Sequence, residues 1–290
     1  MLKGSLTALI TPFRQGEIDE EAFVRFIEFQ LREGTQGLVV CGTTGESAVM
    51  TPEEHARTIE LCVKTVAKRV PVIAGTGTND TQKTLRMTQK AKELGADAAL
   101  LVTPYYNKPS QEGLYRHFKF IHDETDIPLI LYNVPGRTGV NISVETVGRL
   151  SELPRIEGIK DATPDILRPT KIRQAVKKEF SVLSGEDATV VAFLAHGGDG
   201  CISVTANVAP RLCRALHNAW ALKDFETLAT LRDELLPLHE AMFVETNPCP
   251  VKYAAALLGF GDGSVRLPLW EISESSKQKV RDALSSLGIL

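Results

Sequence analysis

Lys160 ends the run Ile156-Glu157-Gly158-Ile159-Lys160. Alternate side chains of a strand share a face, so Lys160 points to the same side as Ile156 and Gly158. Burying an ammonium near the end of a central strand is costly. Burial favours the neutral amine, the form that attacks a keto group to make a Schiff base. The other reading is a structural lysine paired with a neighbour such as Asp161, and the strand alone leaves both open. The segment Gly42-Thr43-Thr44-Gly45-Glu46-Ser47 offers hydroxyls and backbone N–H groups that could hold a carboxylate or a phosphate. Turns rich in Gly and Thr also arise for conformational reasons only. Tyr105, Tyr106 and Tyr132 could relay protons or be core aromatics. Arg137, in Val134-Pro135-Gly136-Arg137-Thr138-Gly139, could grip a carboxylate or be a solvated surface charge. Together these are an amine nucleophile, phenols, hydroxyls and a guanidinium. A carboxylate-bearing ketone reacting with an electrophilic aldehyde would require that set.

The elements that must position them alternate regularly. Short apolar runs lie at Leu6–Ile10, Gly37–Cys41, Pro71–Gly75, Ala98–Thr103, Pro128–Asn133, Ile156–Lys160, Phe180–Ser184 and Gly200–Val204. Most are continuous rather than alternating, as expected of parallel strands covered by helices. Between them lie helical patterns with recognisable starts. Asp19 precedes a stripe of Phe23, Phe26, Ile27 and Leu31, and Gly34 follows its end. Thr51-Pro52-Glu53-Glu54 is a capping box with proline at the first helical position. Asp80 and Ser110 are further N-caps. The expected fold is α/β, a (β/α)8 TIM barrel over residues 1–222, followed by a C-terminal helical extension over 223–290. That extension reads as helices at Asp224–Val244, Pro250–Leu258 and Ser273–Leu287. The reacting groups of such a barrel stand at the C-terminal ends of its strands, where the segments named above fall. An open doubly wound sheet is the competing architecture, but no GxGxxG follows the first strand.

Composition narrows the function classes. The 290 residues are 43% hydrophobic and 24% charged, the balance of a soluble globular protein. A net charge of -3 gives no attraction to nucleic acid or to an anionic membrane. No signal peptide or apolar stretch of about 20 residues is present to indicate export or a membrane span. The five cysteines are scattered without CxxC spacing, which suits buried thiols in a reducing cytoplasm. The six histidines form no metal-ligand spacing.

The stretches GTTGES, TPYYNKPSQEGLYRHF, YNVPGRTG, GIKDAT, LSGED, CISVTANV and NPCPVKYA span nearly the whole chain. In this order and spacing they resemble the pyruvate-dependent class I aldolases, the N-acetylneuraminate lyase superfamily. The Thr43-Thr44 pair and Arg137 resemble the dihydrodipicolinate synthases within that group. The resemblance implies condensation of pyruvate with L-aspartate-4-semialdehyde through a Schiff base on Lys160, with no metal or organic cofactor. It makes Tyr132 the central acid/base, in a relay with Thr43 and with Tyr106 reaching in from a neighbouring subunit. Thr44 would bind the pyruvate carboxylate, Arg137 would orient the semialdehyde, and Gly185 and Ile202 would line the pocket. It also implies a cytoplasmic homotetramer built as a dimer of dimers. A site for L-lysine matches Ala48, His55, Asn79 and Tyr105, but Pro52 and Lys83 depart from the lysine-sensitive pattern, so weak or absent inhibition is expected. The competing readings are a lyase or aldolase for a keto sugar acid on the same scaffold, and a ligand-binding protein that has lost the chemistry.

Overall fold

The computed structural model describes all residues from Met1 to Leu290. In chain order its strands are β1 (Gly4–Ala8), β2 (Phe13–Arg14), β3 (Glu17–Ile18), β4 (Leu38–Val40), β5 (Val72–Gly75), β6 (Ala98–Val102), β7 (Leu129–Asn133), β8 (Ile156–Asp161), β9 (Ser181–Ser184) and β10 (Gly200–Ser203). Eight of them close into a parallel barrel in the order β1-β10-β9-β8-β7-β6-β5-β4, and β4 returns to β1 through Thr7↔Leu38. The eight expected strands are these eight, each within two residues of its expected bounds. The antiparallel pair β2–β3 was not anticipated. It turns at Gln15 (φ 53°) and Gly16 (φ 84°), the left-handed pair a two-residue hairpin needs, and its strands are too short to show a periodic pattern.

The helices are α1 (Glu20–Arg32), α2 (Pro52–Val66), α3 (Thr81–Glu93), α4 (Gln111–Asp123), α5 (Pro135–Thr138), α6 (Val144–Ser151), α7 (Arg168–Ala175), α8 (Val190–Ala195), α9 (Pro210–Leu222), α10 (Phe225–Ala241), α11 (Cys249–Leu257) and α12 (Glu274–Ser286). Their starts follow the capping chemistry in the sequence. The Asp19 carboxylate accepts from Ala22 N–H at 2.9 Å, and Gly34 (φ 89°) takes the left-handed position just past the end of α1. At α2 the Thr51 hydroxyl accepts from Glu54 N–H at 3.2 Å while the Glu54 carboxylate accepts from Thr51 N–H at 2.9 Å. Asp80 and Ser110 cap α3 and α4.

The chain divides into two compact units. One comprises Met1–Lys3 with Pro71–Ile202 and carries α3–α8 along with strands β5–β9. In it, α4 packs on α3 and α6, and α6 packs on α7. The other comprises Gly4–Val70 with Ser203–Leu290 and carries α1, α2 and α9–α12. Its aromatic cluster sets Phe260 against Phe26 at 5.2 Å and Phe29 at 5.0 Å between ring centroids. Asn207 secures β1 within this unit: its side-chain amide donates to Ala8 O at 2.8 Å and accepts from Ile10 N–H at 3.0 Å. All five cysteines are buried and none forms a disulfide. No helix is long and apolar enough to cross a membrane.

One buried group makes the fold acid-sensitive. His117 of α4 is 6% exposed, bonds Thr81 Oγ1 through Nδ1 at 2.8 Å, and leaves Nε2 with no partner. Burial therefore pulls its pKa down to about 4, with the nearby Asp80 charge opposing. The folded state resists a proton that the unfolded chain accepts near pH 6.5. Stability is therefore complete above pH 6.5 and falls as pH drops from 6.5 toward 4. The expected loss from this one group is about 3 kcal/mol. Urea unfolding at pH 7 and pH 4 checks it: His117→Gln should shrink the difference between the two pH values by that amount.

Candidate active site

Strand β8 ends in Lys160 and Asp161, which must face opposite ways. Asp161 turns toward α7 and meets a set of donors. Arg168 Nε lies 2.5 Å from Oδ2, Asn133 Nδ2 lies 3.1 Å from the same oxygen, and the Thr163 hydroxyl donates to Oδ1 at 2.6 Å. Arg168 also donates to Ile142 O, and Asn133 Oδ1 accepts from Ile142 N–H at 3.1 Å. Both side chains of the Asp161–Arg168 pair are buried, at 1% and 8% exposure. This settles one question the sequence left open: Asp161 is the partner of Arg168, not of Lys160.

Lys160 itself is 6% exposed. Its neighbour across the register is Tyr132 of β7, and its Nζ stands 4.4 Å from the centroid of that ring. The lysine stem needs space that only a glycine leaves. A Cβ on Gly185 would lie 3.0 Å from Lys160 Cε and 2.7 Å from Ala162 Cβ. Gly185 is held there by its own N–H, which donates to Asp161 O at 2.8 Å. Beside it stands Glu186, whose carboxyl is pushed up by burial, with the Asp187 charge adding and the Lys160 charge opposing. This unit thus brings together an unpaired, buried amine, the ring of a tyrosine, a glycine gap and a carboxyl that holds its proton more firmly than usual. Such a set can form and protonate an imine.

The remaining expected residues of this unit are placed differently. Arg137 is exposed on α5, one short turn after β7. Ile202 is buried in β10 at 1% exposure. Tyr106 does not pack on Tyr132: it is 88% exposed and holds a φ of 72°, a conformation rare for an aromatic residue. Tyr105 is 38% exposed. Asn107 ties this loop to Asn79 by donating to its carbonyl at 2.9 Å. Lys83 is exposed in the first turn of α3, where its N–H donates to Asp80.

In the other unit Thr43 and Thr44 lie in the turns after β4. Thr44 is 4% exposed, and its hydroxyl oxygen accepts from Asn247 Nδ2 at 3.1 Å. Gly45 lies in a crowded part of this turn, where a Cβ would be 3.1 Å from Leu9 O and 3.3 Å from Thr11 Oγ1. Ala48 is exposed in a single turn of 3-10 helix, and His55 is buried in α2. Arg168, Asn133 and Asn247 carry site geometry that the sequence reading missed. Arg168 opens α7 just after the exposed Ile166 and Leu167, and nothing in its neighbours marks it as buried. Asn133 and Asn247 were visible inside YNVPGRTG and NPCPVKYA, but no rule assigns a partner to a lone asparagine.

The buried pair has a measurable consequence. Removing one charge leaves the other in the interior without compensation, at a cost of about 3–5 kcal/mol. Arg168→Met should lower unfolding free energy by that order, and Arg168→Met/Asp161→Asn should recover much of it. Denaturant titrations of the two variants test this, and equal losses would show that Arg168 acts through its packing instead.

Comparison with known proteins supplies independent information. The family model described as "Dihydrodipicolinate synthetase family" matches residues 1–287. A protein of Rhodospirillum centenum named 4-hydroxy-tetrahydrodipicolinate synthase is 57% identical over 290 residues, covering 100% of both chains. The crystal structure of dihydrodipicolinate synthase from Aquifex aeolicus superposes with a TM-score of 0.97 at 46% identity, covering 99% of each chain. A chloride-inhibited dihydrodipicolinate synthase from Acinetobacter baumannii, complexed with pyruvate, gives a TM-score of 0.97 at 44% identity over 100% of both chains.

Proposed function

The chain belongs to the dihydrodipicolinate synthetase family, and from that membership and the chemistry of β8 we propose that it is a 4-hydroxy-tetrahydrodipicolinate synthase joining pyruvate to L-aspartate-4-semialdehyde. The observation that carries this reading is Lys160, a buried amine with no carboxylate paired to it and a tyrosine ring against it. In its neutral form the amine attacks the keto carbon of pyruvate, and water leaves with protons passed through Tyr132. The resulting imine loses a methyl proton to become an enamine, whose carbon attacks the aldehyde. The amine of the semialdehyde then displaces Lys160 and closes the ring. The iminium serves as the electron sink throughout.

The other roles follow the family pattern. Thr44 binds the pyruvate carboxylate, and Thr43 links Tyr132 to Tyr106 in the proton relay. Arg137 grips the carboxylate of the semialdehyde, a task suited to an exposed guanidinium with two parallel donors. Gly185 and Ile202 line the pocket. Tyr106, exposed and backbone-strained in the single chain, acts in the site of a second copy, which makes the working form at least a dimer and, as a dimer of dimers, a tetramer in the cytoplasm.

Pyruvate followed by borohydride should inactivate the enzyme and add one pyruvate-derived group, found at Lys160 by peptide mass mapping. Lys160→Ala should lose both trapping and nearly all turnover while retaining its circular dichroism. A reduced adduct at any other lysine would overturn the assignment.

Regulation by L-lysine is proposed to be weak or absent. The site would take Ala48, His55, Asn79 and Tyr105, but an inhibitor's ammonium would meet the cation of Lys83, and like charges about 4 Å apart repel by roughly 4 kcal/mol at an effective dielectric of about 20. Lys83→Glu should create or strengthen inhibition. Half-inhibition of the unaltered enzyme by submillimolar L-lysine would contradict this reading.

A further inference from the structure

Glu46 is the charged residue of GTTGES, and the proposed reaction gives it no task. It nevertheless occupies an unfavourable backbone conformation, φ 57° and ψ 32°, which a residue with a Cβ adopts only when its surroundings hold it there. The holding groups are specific. Lys252 Nζ of α11 lies 2.5 Å from Glu46 Oε1, and Arg266 N–H donates to Oε2 at 2.9 Å. Both side chains of the Glu46–Lys252 pair are 1% exposed. Phe13 closes the other side, its ring centroid 3.8 Å from Lys252 Nζ. Arg266 in turn grips Glu54 of α2, with Nη1 at 2.8 Å and Nη2 at 2.5 Å from its carboxylate.

A buried ion pair gains little stability over apolar residues of the same volume, so stability alone does not explain this one. What it adds is direction. The backbone from Gly42 to Glu46 is wound tightly, with Gly45 N–H donating to Gly42 O and Glu46 N–H to Thr43 O, each at 3.1 Å. Thr11 Oγ1 donates to Gly45 O at 2.9 Å. The segment Asn247-Pro248-Cys249-Pro250-Val251-Lys252 then grips the turn at two points: Lys252 holds the Glu46 carboxylate, and Asn247 Nδ2 donates to Thr44 Oγ1. A threonine oxygen that accepts from an amide has its own proton left to donate elsewhere.

We infer that the Glu46–Lys252 pair, acting with Asn247, positions the Thr43-Thr44 turn and orients the Thr44 hydroxyl as a donor to the carboxylate of the keto acid. Glu46, Lys252 and Asn247 are positioning residues that do not touch substrate. The inference rests on the proposed role of Thr44 and extends it to the NPCPVK segment.

Steady-state kinetics of the full chain test it, using Thr44→Val, Glu46→Gln, Lys252→Met and the double variant Glu46→Gln/Lys252→Met. The double variant removes the buried charges at nearly constant volume, so it folds even where a single variant does not. The expected result is a rise of about tenfold or more in KM for pyruvate in each folded variant, the double included, with KM for aspartate semialdehyde changed far less. The pyruvate concentration for half-maximal borohydride trapping should rise in parallel. A double variant with wild-type pyruvate KM and trapping, beside a Thr44→Val enzyme impaired in both, would overturn the inference and leave the Thr44 role intact. An unimpaired Thr44→Val enzyme would overturn the Thr44 role itself.

Discussion

Neighbouring residues of a strand cannot face the same way, and β8 is organised by that constraint. Presenting Lys160 on one face obliges Asp161 to enter the other, where apolar cover would leave an anion without water. The chain answers with Arg168, Asn133 and Thr163, all hydrogen-bonded to the Asp161 carboxylate. Lys160 gains from this twice. The carboxylate nearest to it in sequence is fully occupied by other donors, so the amine is not held as half of an ion pair. The strand end that carries it is also fixed from behind, through Asp161 O accepting from Gly185 N–H and through the Arg168 bridge to Ile142. A nucleophile is placed accurately when the elements behind it are rigid, and the rigidity here comes from the residue next to it.

Small residues do complementary work by leaving room. Gly185 lies against the lysine stem, and Gly158 lies against Ser181 O, where a Cβ would approach to 2.7 Å. Gly45 lets the turn after β4 close on Leu9 and Thr11. Each of these glycines sits in a stretch whose polar residues draw attention first. Their contribution is shape, which permits the lysine, β9 and the threonine turn to come as near to their neighbours as the chemistry demands.

Much of this was legible in the sequence because it rests on local rules. The strands were readable as continuous apolar runs, since a barrel strand is covered on both faces. The helix starts were readable because Asp19, Thr51, Asp80 and Ser110 bond donors within three residues of themselves. The facing of Lys160 was readable from its parity with Gly158, although the strand alone left open whether Asp161 was its partner. The turn at Gln15-Gly16 escaped because four residues of strand carry no period. Arg168 and Lys252 escaped for another reason: burial of a charge depends on a partner that no local repeat connects, Asp161 seven positions before Arg168 and Glu46 far before Lys252. Glu46 lies 206 positions from Lys252, and no local pattern could connect them. Which charges are interior is a property of the closed fold, whereas which residues begin a helix is a property of the chain.

Tyr106 shows the limit of a single chain in the same terms. An aromatic ring that is 88% exposed stabilises nothing by burial, and its φ of 72° costs about 1–3 kcal/mol relative to ordinary backbone. Lys108, two residues on, is also left-handed at φ 44°, so the strain is spread over a short loop and not confined to one residue. That loop is nonetheless ordered by specific bonds, with Asn107 N–H on Tyr105 O and the Asn107 amide on Asn79 O. The loop is thus held in a strained shape with the Tyr106 ring outward. In the proposed reading it meets a second copy of the same chain. The strain then serves to hold the ring extended before the partner arrives, so that association orders little that was not already ordered. In that reading the proton relay and the assembly draw on the same few residues.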